Sequence, residues 1–596
     1  MATYTKGNFD PARLTTGRLV RNGVAVHNGK RVAESATGEI PAFPVKLTSF
    51  MQVEGMQVKG YYCKSLEICL ALQSPLSAAL AGACMTVCVY QRQRHLGLPL
   101  PPGPPKTSWF SGNALDMPRT HPWIKFTEWA KIYAVSDLFE SRGALYSHRP
   151  RREMAFLMGW ERVMPFHGYD EDWKMYRRYA NQGFNKKAAM KYHAGQTRDV
   201  HLFLQRLAAN SENFVLLGKI IMRITYGYVV TDANDPYVKS SDEAIESLGR
   251  VTMMGNYLVD SYPFLRHLPT WLPGMGFKTK AFEWSKLPLG MANIPFEWTK
   301  KQMAAGIAIP SFLSELLEQN VDGRRGEEII KWTAASMYGG GAHTTVGILN
   351  NFILAMLLYP EVAQKAREEI DKVVGTDRLP TVLDRPDLPY LECVILETLR
   401  WYPVTPLSIP RRVSQDDEYR GYRIPANSTV YNNVYAITRD ESMFPDPEKF
   451  IPERFDERQK TCGPLSPRDI IFGIGRRVCP GQFIADTSIF LVMSGILATM
   501  DITKARDGNG DEIEPEILRG PALVCAQLVP AQRIGHIFKR QCLAELPSKT
   551  CCIPLTVVES FFKFKTGPDL GTLHTVQTSP NLRLKSFDIP KLFTHC

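Results

Sequence analysis

Ten consecutive residues concentrate the chemistry of this chain: Phe472-Gly473-Ile474-Gly475-Arg476-Arg477-Val478-Cys479-Pro480-Gly481. One cysteine stands between glycines, with an arginine two residues before it and an apolar, helix-like run after it. The thiolate, not the thiol, binds metal, and it persists only near positive charge or hydrogen-bond donors. A tight glycine turn would aim backbone N–H groups at the sulfur, and a helix beginning near Gly481 would add its positive end. That design suits a thiolate ligand to haem iron, with Phe472 packed on the haem face and Arg477 paired with a propionate. The competing reading of the same residues is a buried structural cysteine beside a turn.

Other side chains are spaced to support such a centre. Trp173 and Arg177 are four residues apart and so share one helical face. Glu397 and Arg400 are three apart and can pair on one face. Arg454 lies between that pair and the cysteine, in Pro452-Glu453-Arg454-Phe455. The run Gly339-Gly340-Gly341-Ala342-His343-Thr344-Thr345 falls in the middle of a helical stretch, 326–359. Each helix-interior glycine costs about 1 kcal/mol against alanine. A loss of that size points to close approach of a ligand or a local opening of the helix; a glycine-rich packing crossing is the alternative.

Together these motifs resemble the cytochrome P450 superfamily, the haem-thiolate monooxygenases, from roughly Pro101 to about Pro515. The pattern Phe-x-x-Gly-x-Arg-x-Cys-x-Gly is complete, and the Trp-x-x-x-Arg, Glu-x-x-Arg and Pro-Glu-Arg-Phe elements stand in the family's order. The resemblance implies a mainly α fold with small β-sheets. Haem b (heme b) would lie between a long distal helix and the cysteine loop, its iron axially ligated by Cys479. Trp173, Arg177, Arg411 and Arg477 would meet the propionates, with Phe472 and Gly481 completing the cofactor site. Thr344 falls at the family's alcohol position, which relays protons to bound oxygen. His343 stands where the family usually has Asp or Glu; an imidazole also hands on protons near neutrality. Glu397, Arg400 and Arg454 would form a structural network anchoring the loop that presents the cysteine. The implied activity is insertion of one atom of O₂ into an apolar small molecule. No nucleotide-binding fingerprint is present, so electrons are expected from a separate NADPH-cytochrome reductase flavoprotein. Lys174, Arg178 and Arg476 are candidates for docking it. The wording of Asp446-Pro447-Glu448-Lys449-Phe450 and of the Trp173 region is similar to fungal members that oxidise secondary metabolites and xenobiotics.

Helices and breaks must position these groups. Pro360 ends the long helix and starts another over 360–374, which closes at Gly375 in the usual C′ position. A further helix spans Pro389 to Arg400. Prolines then break Tyr402–Val413 into an extended segment, from Thr405 to Ile409 of which the pocket would be lined and from which Arg411 would reach the haem. Phe483–Met500 reads as a buried helix behind the cysteine.

Around this core, 44% hydrophobic and 22% charged residues fit a large globular core. The net charge of +11 suits an anionic membrane surface or an acidic partner. No Lys/Arg block interleaved with aromatics points to nucleic acid. Twelve cysteines without paired spacing read as free thiols on a reducing, cytosolic face. Ile68–Tyr90 is long and apolar enough for a span of ~20 residues. Arg92, Arg94 and His95 follow it, which places what comes next in the cytoplasm, and Pro99–Pro105 makes a stiff linker. The expected organisation is an extension over 1–63, a single-pass anchor of the endoplasmic reticulum over 64–95, a linker over 96–105, a catalytic domain over 106–515 and an atypical tail over 516–596. About two strands, ~20 residues, are missing near Ile132 by typical strand lengths. That gap and His343 motivate a second reading, a non-catalytic or defective haem-binding membrane protein.

Overall fold

The computed structural model describes most of residues 121–515, together with 98–101, 103, 118 and 538–539; 131–137, 140, 210–219, 231–234, 253–254, 457–465, 505 and 508 are not described. The described residues belong to the first of two compact units, Met1–Leu543; the second, Ala544–Cys596, lies outside them. So do the expected extension and anchor, and most of the linker, the tail and the region of the missing strands.

The expected class holds: helices dominate and the sheets are small. In chain order the helices that bear on the site are α1 Pro122–Ala130, α2 Glu171–Phe184, α3 His193–Ala209, α4 Ile220–Tyr226, α5 Pro236–Thr252, α6 Lys286–Ala304, α7 Phe312–Glu318, α8 Gly323–Leu358, α9 Pro360–Val374, α10 Pro389–Trp401 and α11 Gln482–Thr499. Local chemistry sets their ends. The Asp170 side chain caps α2 by accepting from the Trp173 N–H at 2.8 Å. Pro360 and Pro389 open α9 and α10, where a missing N–H costs nothing. Gly375 stops α9 at φ +81°, a conformation only glycine adopts freely.

Helix α8 is the axis of this unit. Its 36 residues run about 54 Å at 1.5 Å per residue, and α2, α4, α6, α7, α10 and α11 all pack on it. Helices α8 and α11 are both long and apolar enough to cross a membrane, yet their most apolar stretches are 61% and 78% buried inside the protein. They are core helices by that measure, and α11 is the one expected behind the cysteine.

The strands are short antiparallel pairs. β1 Arg411–Arg412 pairs with β4 Thr429–Val430, β2 Asp417–Tyr419 with β3 Tyr422–Ile424, and β5 Met500–Asp501 with β6 Phe538–Lys539. Arg420 and Gly421 both have positive φ, +53° and +78°, as the two-residue turn of the β2–β3 hairpin requires. Strand β1 holds Arg411 beside the cavity described next.

Candidate functional site

The loop carrying Cys479 closes on itself. The Cys479 N–H donates to Phe472 O at 2.8 Å, joining its two ends. Between them Gly473 and Gly475 turn the chain at φ +77° and +65°. The short helix Pro467–Ile471 leads in and α11 leads out. Burial pushes the Cys479 thiol up; the N–H groups of Gly481 and Gln482 and the charge of Arg177 oppose that. Backbone donors at the start of α11 therefore point at the sulfur. A coordinating cation deprotonates such a thiol outright.

The sulfur's residue lines a cavity of about 270 Å³, taken as the space open to the centres of water molecules. Four arginines, Arg149, Arg177, Arg411 and Arg477, share its wall. Each is held by backbone carbonyls. Arg177 donates to Val478 O at 2.7 Å, one residue before the cysteine. Arg411 donates to Ile474 O at 2.8 Å. Arg477 donates to Ser147 O at 2.8 Å and His167 O at 2.9 Å, with its guanidinium 4.3 Å from the Trp173 ring centre. Arg149 donates to Pro165 O at 2.7 Å, Ile409 O at 2.6 Å and Pro410 O at 2.7 Å. Burial pushes Arg411 down to about 10. Burial and then the charges of Arg411 and Arg177 push Arg477 down to about 9. Arg149 is lowered by burial and by Arg477 and Arg411. At neutral pH all four remain cations, and no Asp or Glu lines the cavity among the described residues. Carbonyls take several of their N–H groups, and the acid that acts on Arg477, Asp170, stands outside the lining. An apolar slot with one cysteine and a cluster of guanidiniums on its wall fits a flat, apolar ligand carrying carboxylates and a thiophilic metal, as haem does.

Helix α8 supplies another wall through Gly340, Gly341, Thr344, Thr345 and Ile348. The Thr344 hydroxyl donates to Gly340 O at 2.6 Å, which leaves its lone pairs available. The helix stays α-helical through its three glycines. Two of them serve packing instead. A Cβ on Gly341 would come within 2.9 Å of Ile221 Cγ1 of α4, and one on Gly339 within 3.2 Å of Ile245 Cδ1 of α5. Only Gly340 has open space beside it, so it alone fits the expectation of room for a ligand. His343 is not part of the cavity lining; its Nε2 lies 3.3 Å from Asp242 Oδ1 of α5, near enough for an ion pair but not aligned as a hydrogen bond.

Beneath the site, Glu397, Arg400 and Arg454 meet as their spacing suggests. Glu397 accepts from Arg400 Nε at 2.7 Å and Nη2 at 2.8 Å, from Arg454 Nε at 3.1 Å and from the Ile451 N–H at 2.8 Å. Arg400 also donates to Thr438 O, Pro447 O and Lys449 O. All three side chains are buried.

The fold thus brings Trp173, Arg177, Thr344, Arg411, Phe472, Arg477, Cys479 and Gly481 to one cavity. His343 stands just outside it. Arg149 was missed; its only signal was a basic run, Arg149-Pro150-Arg151-Arg152, which reads as surface. Lys174 and Arg476 pair with Glu171 and Tyr169 at the exposed rim, and Arg178 pairs with Asp322.

A family model described as cytochrome P450 matches residues 133–524. Cytochrome P450 monooxygenase claR of Ampulloclitocybe clavipes is 39% identical over 444 residues, covering 70% of this chain and 82% of that protein. Cytochrome P450 monooxygenase 98 of Postia placenta is 39% identical over 480 residues, covering 73% and 91%. Tryptamine 4-monooxygenase of Psilocybe cyanescens is 34% identical over 475 residues, covering 74% and 92%. A solved zebra fish cytochrome P450 with abiraterone shares the fold at TM-score 0.53 and 22% identity, covering 68% of this chain and 91% of that one.

Proposed function

The chain belongs to the cytochrome P450 family and is a haem-thiolate monooxygenase, and from that premise we propose that Cys479 would supply the thiolate that holds the haem iron and that the cavity it lines takes an apolar small molecule for oxidation. Haem, when bound there, would supply the redox chemistry that activates O₂ with electrons from a redox partner, tuned by its thiolate ligand. The carrying observation is the convergence of Cys479, two backbone N–H groups and four arginines on one cavity whose described lining holds no acid. Arg149, Arg177, Arg411 and Arg477 would hold the propionates, and Trp173 stacks against Arg477. Thr344 Oγ1, anchored on Gly340 O, accepts and returns a proton at the edge of the cavity. His343 sits one residue away, with Asp242 beside it, and recharges that position from the solvent side.

The substrate class follows from the remaining walls: Ile221, Ile224, Met337, Ile348, Val404 and Ile409 are apolar. Similarity to fungal monooxygenases, one of which is named for tryptamine, supports a role in secondary metabolism. Electrons come from an NADPH-cytochrome reductase flavoprotein, docked through the basic rim that carries Lys174, Arg178 and Arg476. The apolar stretch 68–90 and its basic flank anchor the chain in the endoplasmic reticulum with the catalytic domain in the cytosol.

The test is a difference spectrum of the expressed chain, reduced with dithionite under carbon monoxide. A Soret band at the thiolate-ligated position supports the assignment of Cys479. A band at the position of a neutral ligand, or the thiolate band surviving in Cys479→Ser, overturns it.

A further inference from the structure

A second group of charges sits behind the cysteine loop, apart from the Glu397 network. Arg385 approaches Glu392 at 3.1 Å and Asp486 at 2.7 Å. Arg468 approaches the same two carboxylates, Glu392 at 2.5 Å and Asp486 at 2.7 Å. Two cations and two anions therefore close a four-membered ring, each member in contact with both members of opposite sign. The side chains are only 20–32% exposed, so the ring is shielded from solvent much more than a surface pair. Burial pushes the Asp486 carboxyl up, but Arg385 and Arg468 outweigh it and hold it below the usual range. The Arg385 guanidinium also lies 5.1 Å from the Phe490 ring centre of α11.

What the ring joins gives it meaning. Arg468 is on the short helix that leads into the cysteine loop, and Asp486 is in the second turn of α11, which leads out of it. Glu392 is on α10, and Arg385 is on the 3₁₀ turn Val382–Asp387 before it. Both stems of the loop are thus tied to each other and to one rigid helix. The backbone donors aimed at the Cys479 sulfur, Gly481 and Gln482, belong to the same stem as Asp486.

We infer that Arg385, Glu392, Arg468 and Asp486 are positioning residues that clamp both stems of the cysteine loop and so fix the sulfur at the metal; this rests on the assignment of Cys479 as the ligand. The ring touches neither the cavity nor the sulfur. It acts by holding α11 and the lead-in helix in register, so that Gly481 and Gln482 stay aimed. A shared ring of this kind couples its members, and single losses are not additive.

The experiment follows the carbon monoxide spectrum of the haem-loaded, reduced full chain with time in mild urea. Wild type is compared with Asp486→Asn, Arg468→Gln, Asp486→Glu and Asp199→Asn. The last breaks an equally shielded pair, Arg223–Asp199 at 2.7 Å, 21% and 12% exposed, between α3 and α4 and remote from the loop in the chain. Asp486→Asn and Arg468→Gln are expected to pass from the thiolate band to the neutral-ligand band about tenfold faster than wild type, the low end of the losses in metal affinity that follow removal of supporting residues around a metal ligand. A protein carrying both Asp486→Asn and Arg468→Gln should be little faster than either single variant, Asp486→Glu should recover most of the lifetime, and Asp199→Asn should hold its band despite a lower unfolding midpoint. Wild-type lifetimes in Asp486→Asn, or equal acceleration in Asp199→Asn, overturn the clamp. A wild type that binds haem but never shows the thiolate band overturns the Cys479 assignment and the clamp together.

Discussion

Alanine at Gly340 should stabilise the protein, whereas alanine at Gly341 should not. Both residues lie inside α8, where replacing glycine by alanine gains about 1 kcal/mol in helix propensity. At Gly340 nothing stands within 4 Å of the new Cβ, so the full gain of ~1 kcal/mol is expected. At Gly341 the Cβ would meet Ile221 Cγ1 at 2.9 Å and Cδ1 at 3.4 Å. Overpacking of that kind costs about 1–3 kcal/mol, which cancels the gain or leaves a net loss of up to ~2 kcal/mol. The two variants should therefore differ by about 1–3 kcal/mol, although they are neighbours and chemically the same substitution. Urea unfolding of the substrate-free, haem-loaded chain, followed by tryptophan fluorescence, reads the difference directly as a shift of midpoint at constant slope. The cavity offers an independent check, because Gly340→Ala puts its methyl into open space on the wall. It should weaken the spectral binding of bulky ligands while raising the midpoint. A Gly341→Ala protein as stable as Gly340→Ala would refute the assignment of Gly341 to helix packing.

Glu397→Gln should cost about 3–5 kcal/mol by stranding two buried guanidiniums, a large share of the roughly 5–15 kcal/mol that holds a domain together. The variant is expected to lose haem on gel filtration, and full haem content after that step would refute the role of the network. Arg149→Leu should speed transfer of haem to apomyoglobin several-fold without shifting the carbon monoxide band, since it removes a cation from the cavity wall and leaves Cys479 untouched; unchanged transfer would remove Arg149 from the cofactor site. His343→Asp combined with Asp242→Asn, so that two carboxylates do not face each other across the 3.3 Å now spanned by the His343–Asp242 pair, restores the acid usual in the family and should raise product formed per NADPH. Unchanged peroxide release would count against proton delivery through this position. Asp486 predicts a pH dependence: its folded carboxyl is held below the unfolded value of about 4 by Arg385 and Arg468. Its stabilisation is therefore complete above pH ~4 and lost as pH falls further, through the folded value. The gap in urea midpoint between wild type and Asp486→Asn should be constant from pH 7 to pH 5 and shrink below pH 4; a gap that widens on acidification would refute the sign.

How much of this was legible depended on the range of the interactions involved. The ends of α9 and α10 could be read from Pro360, Gly375 and Pro389 because proline and glycine act within one turn. The grouping of Glu397 with Arg400 was legible because three residues along a helix is a contact distance. The glycines of α8 were legible as an anomaly but not as an explanation, because a missing Cβ has the same signature whether a ligand or another helix takes the space. Ile221 and Ile245 decide that, and nothing in the chain near Gly339–Gly341 announces them. The ring behind the loop was hidden for a related reason. Arg385 and Asp486 are 101 residues apart, and each sits among ordinary helix-surface charges.

Arg149 shows what kind of information was missing. In sequence it is one cation among 71 Lys and Arg residues, and the prior for any of them is a solvated surface. Charge alone cannot distinguish it, because the distinguishing fact is which acceptors surround it. Three backbone carbonyls accept from its Nε and Nη1, so it is held in place by neutral acceptors and not by an acid. A carboxylate partner in the protein would have neutralised it, as Glu397 does for Arg400. The fold instead gathers four such cations at one cavity with no acid on its wall among the described residues, an arrangement that is costly unless an anion enters. The electrostatic demand for a dianionic ligand is thus a property of the assembled cavity, and none of its four arginines carries it alone.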